Sequence, residues 1–258
     1  MPGAVHCRVD GAIARVTLDH PGRLNAMSRG MWRELAAVFA ALPVRPELRA
    51  VVIAGAGGAF CAGGDIAEYP DFRFDEAALR AFHEDDVWGG LSAILACDLP
   101  VIAQIDGACM GAGVEIASCC DIRVAGQSAR FGAPIAKLGF PMAPREAQLV
   151  AREAGLATAR EMLLQAAVLD AATMQARGFL HAVVPDDRCA SEAGERAARI
   201  ALLAPDAARL NKQTLRALAG DGPPAALIDT AYAYADSAEH REGIDAFLAK
   251  RPPRFGNP

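Results

Sequence analysis

Val101-Ile-Ala-Gln-Ile105, running straight into Asp106-Gly-Ala-Cys-Met-Gly-Ala-Gly-Val-Glu115, is the stretch from which the fold can be read. Pro100 introduces the apolar run, which has the composition of a strand covered on both faces. Asp106-Gly107 ends it with turn chemistry, and a glycine-rich loop leads into a short helix over about residues 111–118. Upstream, residues 50–54 (AVVIA) form a second all-apolar run that opens into another glycine-rich loop, Gly55 to Gly64. Downstream, residues 122–125 predict a third strand and residues 129–131 a fourth. Residues 12–18 (AIARVTL) begin the series, and Asp19-His20-Pro21-Gly22 closes that strand. Between them, Ser28 caps a helix through about Leu42, with Met31, Leu35, Val38 and Leu42 on one face, and Pro43 and Pro46 stop it. A polar stretch to Asp75 precedes a helix reaching about Cys97. Buried strands alternating with helices predict an α/β core.

From about Pro144 the pattern turns helical. Amphipathic segments broken at Gly155, Asp170, Pro185, Pro205 and Pro223-Pro224 run to Lys250. The expected organisation is a core over residues 1–200 and a helical C-terminal region over residues 201–258, packed on that core or on a neighbouring copy.

Composition removes several function classes. Of 258 residues 53% are apolar and 22% charged, enough to build a core and too apolar for disorder. A formal net charge of -5 argues against a nucleic-acid partner. No apolar run reaches the roughly 18–20 residues of a membrane helix. The start, MPGAVHCRVD, resembles neither a secretory signal nor a transit peptide, so a cytoplasmic setting is expected. Seven cysteines, an odd number without CxxC or zinc spacing, read as buried reduced thiols. His6, His20, His83, His181 and His240 show no HExxH spacing, so no metal is expected. Ser118 and Ser128 lack a GxSxG elbow. His83-Glu-Asp-Asp86 reads as the solvated face of a helix.

The two glycine-rich loops lie just past the C-terminal ends of strands, where an α/β protein places its function. Gly55-Ala-Gly57 begins a GxGxxG, but Phe60 stands where the third glycine belongs, and no GxxxxGK[ST] occurs. The density of glycine between positions 55 and 64 favours a backbone approached closely by another group over simple turn chemistry, which would use one or two glycines. In the second loop, a helix starting near Gly111 leaves its first N–H groups unpaired at the positive end of its dipole. Ala112 and Glu115 are three residues apart, so that N–H and that carboxylate can face one pocket. An amide that polarises a carbonyl beside a carboxylate that moves a proton suits enolate chemistry. A first-turn Glu gaining a few tenths of a kcal/mol from the helix dipole fits the same spacing. The apolar neighbours Val114, Ile116 and Ala117 favour the chemical reading, because a carboxylate in a buried helix needs a reason.

Ala59-Phe-Cys-Ala-Gly-Gly-Asp-Ile66 paired with Gly107-Ala-Cys-Met-Gly-Ala-Gly-Val-Glu-Ile-Ala117 resembles the enoyl-CoA hydratase/isomerase (crotonase) family. Leu24-Asn25-Ala26-Met27 is similar to its N-terminal CoA-contacting turn. Cys120-Asp121-Ile122-Arg123 with Ala129-Arg-Phe-Gly132 resembles the strand pair after its catalytic helix. Arg241-Glu-Gly-Ile-Asp-Ala-Phe247 with Lys250 resembles the terminal helix covering the adenine end of CoA. The resemblance implies a spiral of ββα units with a helical trimerisation region, assembled as a homotrimer or a dimer of trimers. It implies an acyl-CoA thioester as substrate, with CoA part of that substrate and no separate cofactor. The amides of Gly64 and Ala112 would form an oxyanion hole, and Glu115 would act as general acid/base. Ala112 stands where the family commonly has Gly, which leaves the backbone donor intact. Ala62, Asp65, Ile66, Phe247 and Lys250, with Arg23 and Ala26, would contact CoA.

One position departs from the pattern. Hydratases of this family use a second carboxylate immediately after the proline of Phe131-Gly-Ala-Pro-Ile-Ala-Lys-Leu-Gly139, and that residue here is Ile135. Met142-Ala-Pro-Arg-Glu146 replaces the usual glycine-rich helix start. Arg145 or Glu146 might have reached the pocket, but the expectation is a surface helix with an ordinary Arg–Glu pair. On family frequency rather than on these residues, the resemblance implies an enoyl-CoA hydratase. The alternatives are a one-carboxylate isomerase or other CoA lyase, and an acyl-CoA-binding subunit without catalysis.

Overall fold

The computed structural model describes residues 2–218 and 225–256. Its strands are β1 (Ala4–Asp10), β2 (Ile13–Asp19), β3 (Ala50–Gly55), β4 (Val101–Ile105), β5 (Ala108–Met110), β6 (Ile122–Gly126), β7 (Arg130–Gly132), β8 (Val168–Asp170) and β9 (Ala182–Val184). A six-stranded sheet runs in the order β1-β2-β3-β4-β6-β9, antiparallel only between β1 and β2. A three-stranded sheet, β5-β7-β8, stands beside it. After β4 the chain drops into β5 and then a helix, and after β6 it drops into β7 and then a helical turn at Pro134–Leu138. After β3 the same step is reduced to one residue, Cys61, bridged in parallel to Cys109 of β5. This is the expected repeat of ββα units.

The all-apolar strands are covered on both faces, as their composition requires. Val51, Ile53, Val101, Ala103 and Ile105 point into the main core with Trp32, Leu35 and Phe39 of α1 (Arg29–Ala41). Ala50, Val52, Ile102 and Val124 point the other way, under a second core of Cys189, Ala193 and Ala197. Ser28 caps α1 by accepting from the Met31 N–H at 3.2 Å. The helix expected to reach Cys97 is α2 (Glu76–Ala81) and α3 (Trp88–Ala96), joined by a π turn over Phe82–Val87. The helix after β5 is α4 (Ala112–Ser118), buried along its whole length.

The remaining helices are α5 (Pro144–Ala154), α6 (Leu156–Leu164), α7 (Ala171–Ala176), α8 (Cys189–Ala201), α9 (Pro205–Leu218), α10 (Ala225–Asp229) and α11 (Ala238–Leu248). The breaks at Gly155 and Pro185 fall between elements, Asp170 is the last residue of β8 and Pro205 the first of α9, whereas Pro223-Pro224 lies outside the described residues. α9 is anchored by the buried Lys212, whose ammonium donates to the Leu99 carbonyl at 2.8 Å and pairs with Asp121 at 2.7 Å.

Three features differ from expectation. β1 was not foreseen because most of its side chains face solvent and it lacks a clean apolar alternation. β8 and β9 interrupt the stretch read as wholly helical; strands of three residues are too short to show a period. Cys7 is exposed while the other six cysteines are buried. No described helix is long and apolar enough to cross a membrane.

Candidate active site

The two glycine-rich loops are joined by main-chain hydrogen bonds. The Cys61 N–H donates to the Ala108 carbonyl at 2.9 Å, and the Met110 N–H donates to the Cys61 carbonyl at 2.8 Å. On the other edge, the Met27 N–H donates to the Gly63 carbonyl and the Asp65 N–H to the Met27 carbonyl, each at 2.8 Å. Gly63, with φ +115°, makes the turn that lets both neighbours of Gly64 face Met27. The N–H between them, that of Gly64, is turned away and donates to nothing among the described residues. The Ala112 N–H, at the first position of α4, is likewise without an acceptor there, because the chain enters the helix through Gly111 at φ +47°. Both residues line one cavity of about 220 Å³.

Glu115 lines the same cavity from the first turn of α4, on the face it shares with Ala112. Its side chain makes no hydrogen bond or ion pair among the described residues, although the residue is only 9% exposed. Burial, aided by the negative charge of Glu146, pushes its pKa up to about 8. At neutral pH it therefore holds a proton that a carboxylic acid in water would have lost. Such a group fits proton transfer better than helix stabilisation.

Ile135 lines the wall where the second carboxylate of a hydratase was sought, together with Pro134, Leu138 and Phe140. Tyr69, also in the lining, meets Phe72, Phe82 and Phe140 edge-on. The Tyr69 hydroxyl lies close against Gly64, where a Cβ would collide with it. Arg73 stacks over Phe140 at 3.5 Å and Tyr69 at 4.5 Å from the ring centres. Burial lowers the Arg73 pKa, since no carboxylate pairs with this cation among the described residues.

Two expectations are corrected on this wall. His83-Glu-Asp-Asp86 is not a solvated face: only Glu84 and Asp85 are exposed. Asp86 is buried between Arg29 and Arg33, at 2.6 and 2.7 Å, and His83 lines the cavity. The π turn adds a residue to the helical repeat, so positions that 3.6-residue spacing sends outward turn inward. Nor does the start of α5 carry a surface Arg–Glu pair. Arg145 pairs with Glu84 at 2.8 Å, while Glu146 is 2% exposed and accepts from His83 Nδ1 at 3.1 Å. Tyr69, Arg73, His83 and Glu146 are functional candidates that spacing alone did not reveal.

Of the predicted CoA contacts, Ala62 and Ile66 line the cavity. Asp65 lies just outside it, buried, capping the helical turn at Ile66–Asp71 and pairing with Arg23 at 3.0 Å. Ala26 is buried in the turn that joins Arg23 to Met27, and its carbonyl is 2.7 Å from His20 Nδ1. Phe247, 81% exposed on α11, and Lys250, just beyond that helix, do not line this cavity. Among the described residues no cluster of His, Cys, Asp and Glu could hold a metal ion.

With this geometry in view, the family model for enoyl-CoA hydratase/isomerase matches residues 8–258. A probable enoyl-CoA hydratase of Mycobacterium bovis is 32% identical over 252 residues, covering 95% of each chain. A mevalonyl-coenzyme A hydratase of Beauveria bassiana is 34% identical, covering 92% of this chain and 89% of that one. The crystal structure of an enoyl-CoA hydratase/carnitine racemase from Magnetospirillum magneticum superposes with a TM-score of 0.95 at 37% identity, covering 99% of this chain and 96% of that one. Sequence, fold and the paired loops agree: the chain is an enzyme of the enoyl-CoA hydratase/isomerase family, with the crotonase fold.

Proposed function

We propose that the chain hydrates an enoyl-CoA thioester through an enolate, with Glu115 as general acid/base and the N–H groups of Gly64 and Ala112 as the oxyanion hole. The observation that carries this reading is the unpartnered, buried carboxyl of Glu115 in one cavity with two unpaired amides. As the oxygen of a water molecule bonds to the β-carbon and gives up one proton, which later restores Glu115, the electron pair of the double bond moves onto the thioester oxygen. One amide donor at such an oxygen is worth about 3 kcal/mol. Glu115 then delivers its proton to the α-carbon. CoA enters as part of the substrate, held by Arg23, Ala26, Ala62, Asp65, Ile66, Phe247 and Lys250. Ile135 favours a second reading, a double-bond shift that needs one acid/base alone.

The same reading includes a homotrimer or dimer of trimers in the cytoplasm. Exposed Leu210, Leu215, Leu218, Ile228, Ile244 and Phe247 on α9, α10 and α11 support an apolar contact between copies. The six buried free thiols suit a reducing compartment. Light scattering on the purified protein tests the assembly, and a monomer would contradict it.

The chemical test is Glu115→Gln, which keeps shape and removes proton transfer. We expect kcat for enoyl-CoA turnover to fall about 10²–10⁴-fold while acyl-CoA affinity stays near that of the wild type. Unchanged turnover removes Glu115 from the mechanism. Wild-type protein that binds acyl-CoA and turns over none of a series of enoyl-CoA thioesters is a binding subunit instead.

A further inference from the structure

We propose that His83, oriented by Glu146, is the second acid/base group of this site, taking the part that a carboxylate at position 135 would have played. The inference rests on the reading of Glu115 as the first such group.

Three observations lead to it. His83 lines the cavity that Glu115 lines, brought there by the π turn. Its Nδ1 meets Glu146 Oε1 at 3.1 Å, and no other hydrogen bond reaches the Glu146 side chain among the described residues. Glu146 is 2% exposed, so it is a carboxylate held out of water with one imidazole as its partner. A carboxylate on Nδ1 fixes the tautomer that carries its hydrogen there, leaving the Nε2 lone pair for another partner. Nε2 has none among the described residues. The other charged and titratable groups about His83 are accounted for. Glu84 pairs with Arg145 and Asp86 with Arg29 and Arg33, while Glu115, Tyr69 and Arg73 line the same cavity.

The roles divide between the two groups. His83 Nε2 takes one proton from a water molecule as the water oxygen bonds to the β-carbon. The electron pair of the double bond passes to the thioester oxygen and is held by the two amides. The enolate then collapses, and the α-carbon takes the proton of Glu115. The product carries the hydroxyl and one new hydrogen, and the proton left on His83 returns to the Glu115 carboxylate. One group serves as donor and the other as acceptor, without a second carboxylate at 135.

The experiment separates this inference from the one it rests on. For the enoyl-CoA that the wild type hydrates fastest, turnover is measured beside deuterium exchange at the α-carbon of the matching saturated acyl-CoA. Exchange needs only Glu115 and the amides; hydration needs His83 as well. His83→Gln is expected to lower kcat about 10²–10⁴-fold, with KM and exchange within about threefold of wild type. Glu115→Gln is expected to lose both. Glu146→Gln, which keeps the hydrogen bond but not the charge, lowers turnover and leaves exchange. Added imidazole partly restores hydration to His83→Ala. Wild-type hydration by His83→Gln overturns the inference and leaves Glu115 in place. Loss of exchange with hydration in His83→Gln also overturns it, since His83 would then only support the pocket. If His83→Gln fails to fold, the Glu146→Gln and imidazole results decide, and the absence of both effects overturns it. Failure of the wild type to exchange or hydrate refutes the Glu115 reading itself.

Discussion

Two segments face each other across the cavity, and they are built on different principles. On one side, residues 107–118 contribute mainly backbone: β5 is bridged to Cys61, and Ala112 presents an N–H that no side chain supplies. On the other, residues 131–146 contribute side chains: Ile135, Leu138 and Phe140 line the cavity, and the buried Glu146 of α5 reaches it through His83. The first wall carries a segment on which the family resemblance rests, and Ala at 112, where the family commonly has Gly, costs no donor. The second departs from the pattern at 135 and again at 142–146. In the proposed mechanism, the contrast assigns charge stabilisation to main-chain geometry and the choice of reaction to side chains of the second segment.

Displacing a main-chain donor should have a large effect. Gly64→Ala keeps the amide but drives a Cβ into the Tyr69 hydroxyl, so the donor or the ring must move. The expected loss in kcat is about 10²-fold, the scale of a displaced oxyanion donor, and Tyr69→Phe in the same chain should recover part of it. Steady-state kinetics of the two variants check both halves of the prediction.

The electrostatics of the shared cavity come next. The Glu115 carboxyl titrates at about 8 in the fold against an ordinary value of 4.5, so the folded chain holds this proton more firmly than the unfolded one. Its effect on stability is therefore absent below about pH 4.5, grows as pH rises, and is complete above about pH 8. Glu115→Gln should match wild type near pH 4 and gain on the order of a few kcal/mol near pH 9. Denaturant unfolding at the two pH values measures it, and an equal difference at both would contradict the assigned pKa. As proton donor, Glu115 should also make kcat/KM for hydration fall as pH rises through about 8.

Rewriting the side-chain wall is a smaller perturbation. Ile135→Glu adds a carboxylate to a cavity that already feels Glu115 and Glu146, so the alkaline limb of that rate profile should move further up. A limb that stays where it was would place position 135 out of electrostatic reach of Glu115. Smallest of all should be Ala112→Gly, with kcat within about twofold of wild type, because the donor it leaves is the same main-chain N–H.

Legibility in the sequence follows the same division. The buried strands, the Ser28 cap and the positions of Ala112 and Glu115 could be read because glycine spacing and apolar runs report directly on backbone, whereas Gly64 is singled out only by the family resemblance. His83, Asp86 and Glu146 could not. The π turn breaks the helical period on which the reading of His83-Glu-Asp-Asp86 relied, and Glu146 is buried by a partner 63 residues away. β5 hides inside a stretch that looks like loop because it is three residues long and flanked by glycines. β1 has too much solvent-facing surface to announce itself by alternation.

The parallel bridge between Cys61 and Cys109 has a further consequence for how such a protein can change. Because the two amides proposed to hold the developing negative charge are main-chain groups placed by strand register, deleting a side chain does not remove them. A descendant could exchange Ile135, His83 or other lining side chains and explore new substrates while keeping both N–H groups in place. A slip of the ladder would displace them together, and would unravel the sheet junction along with them.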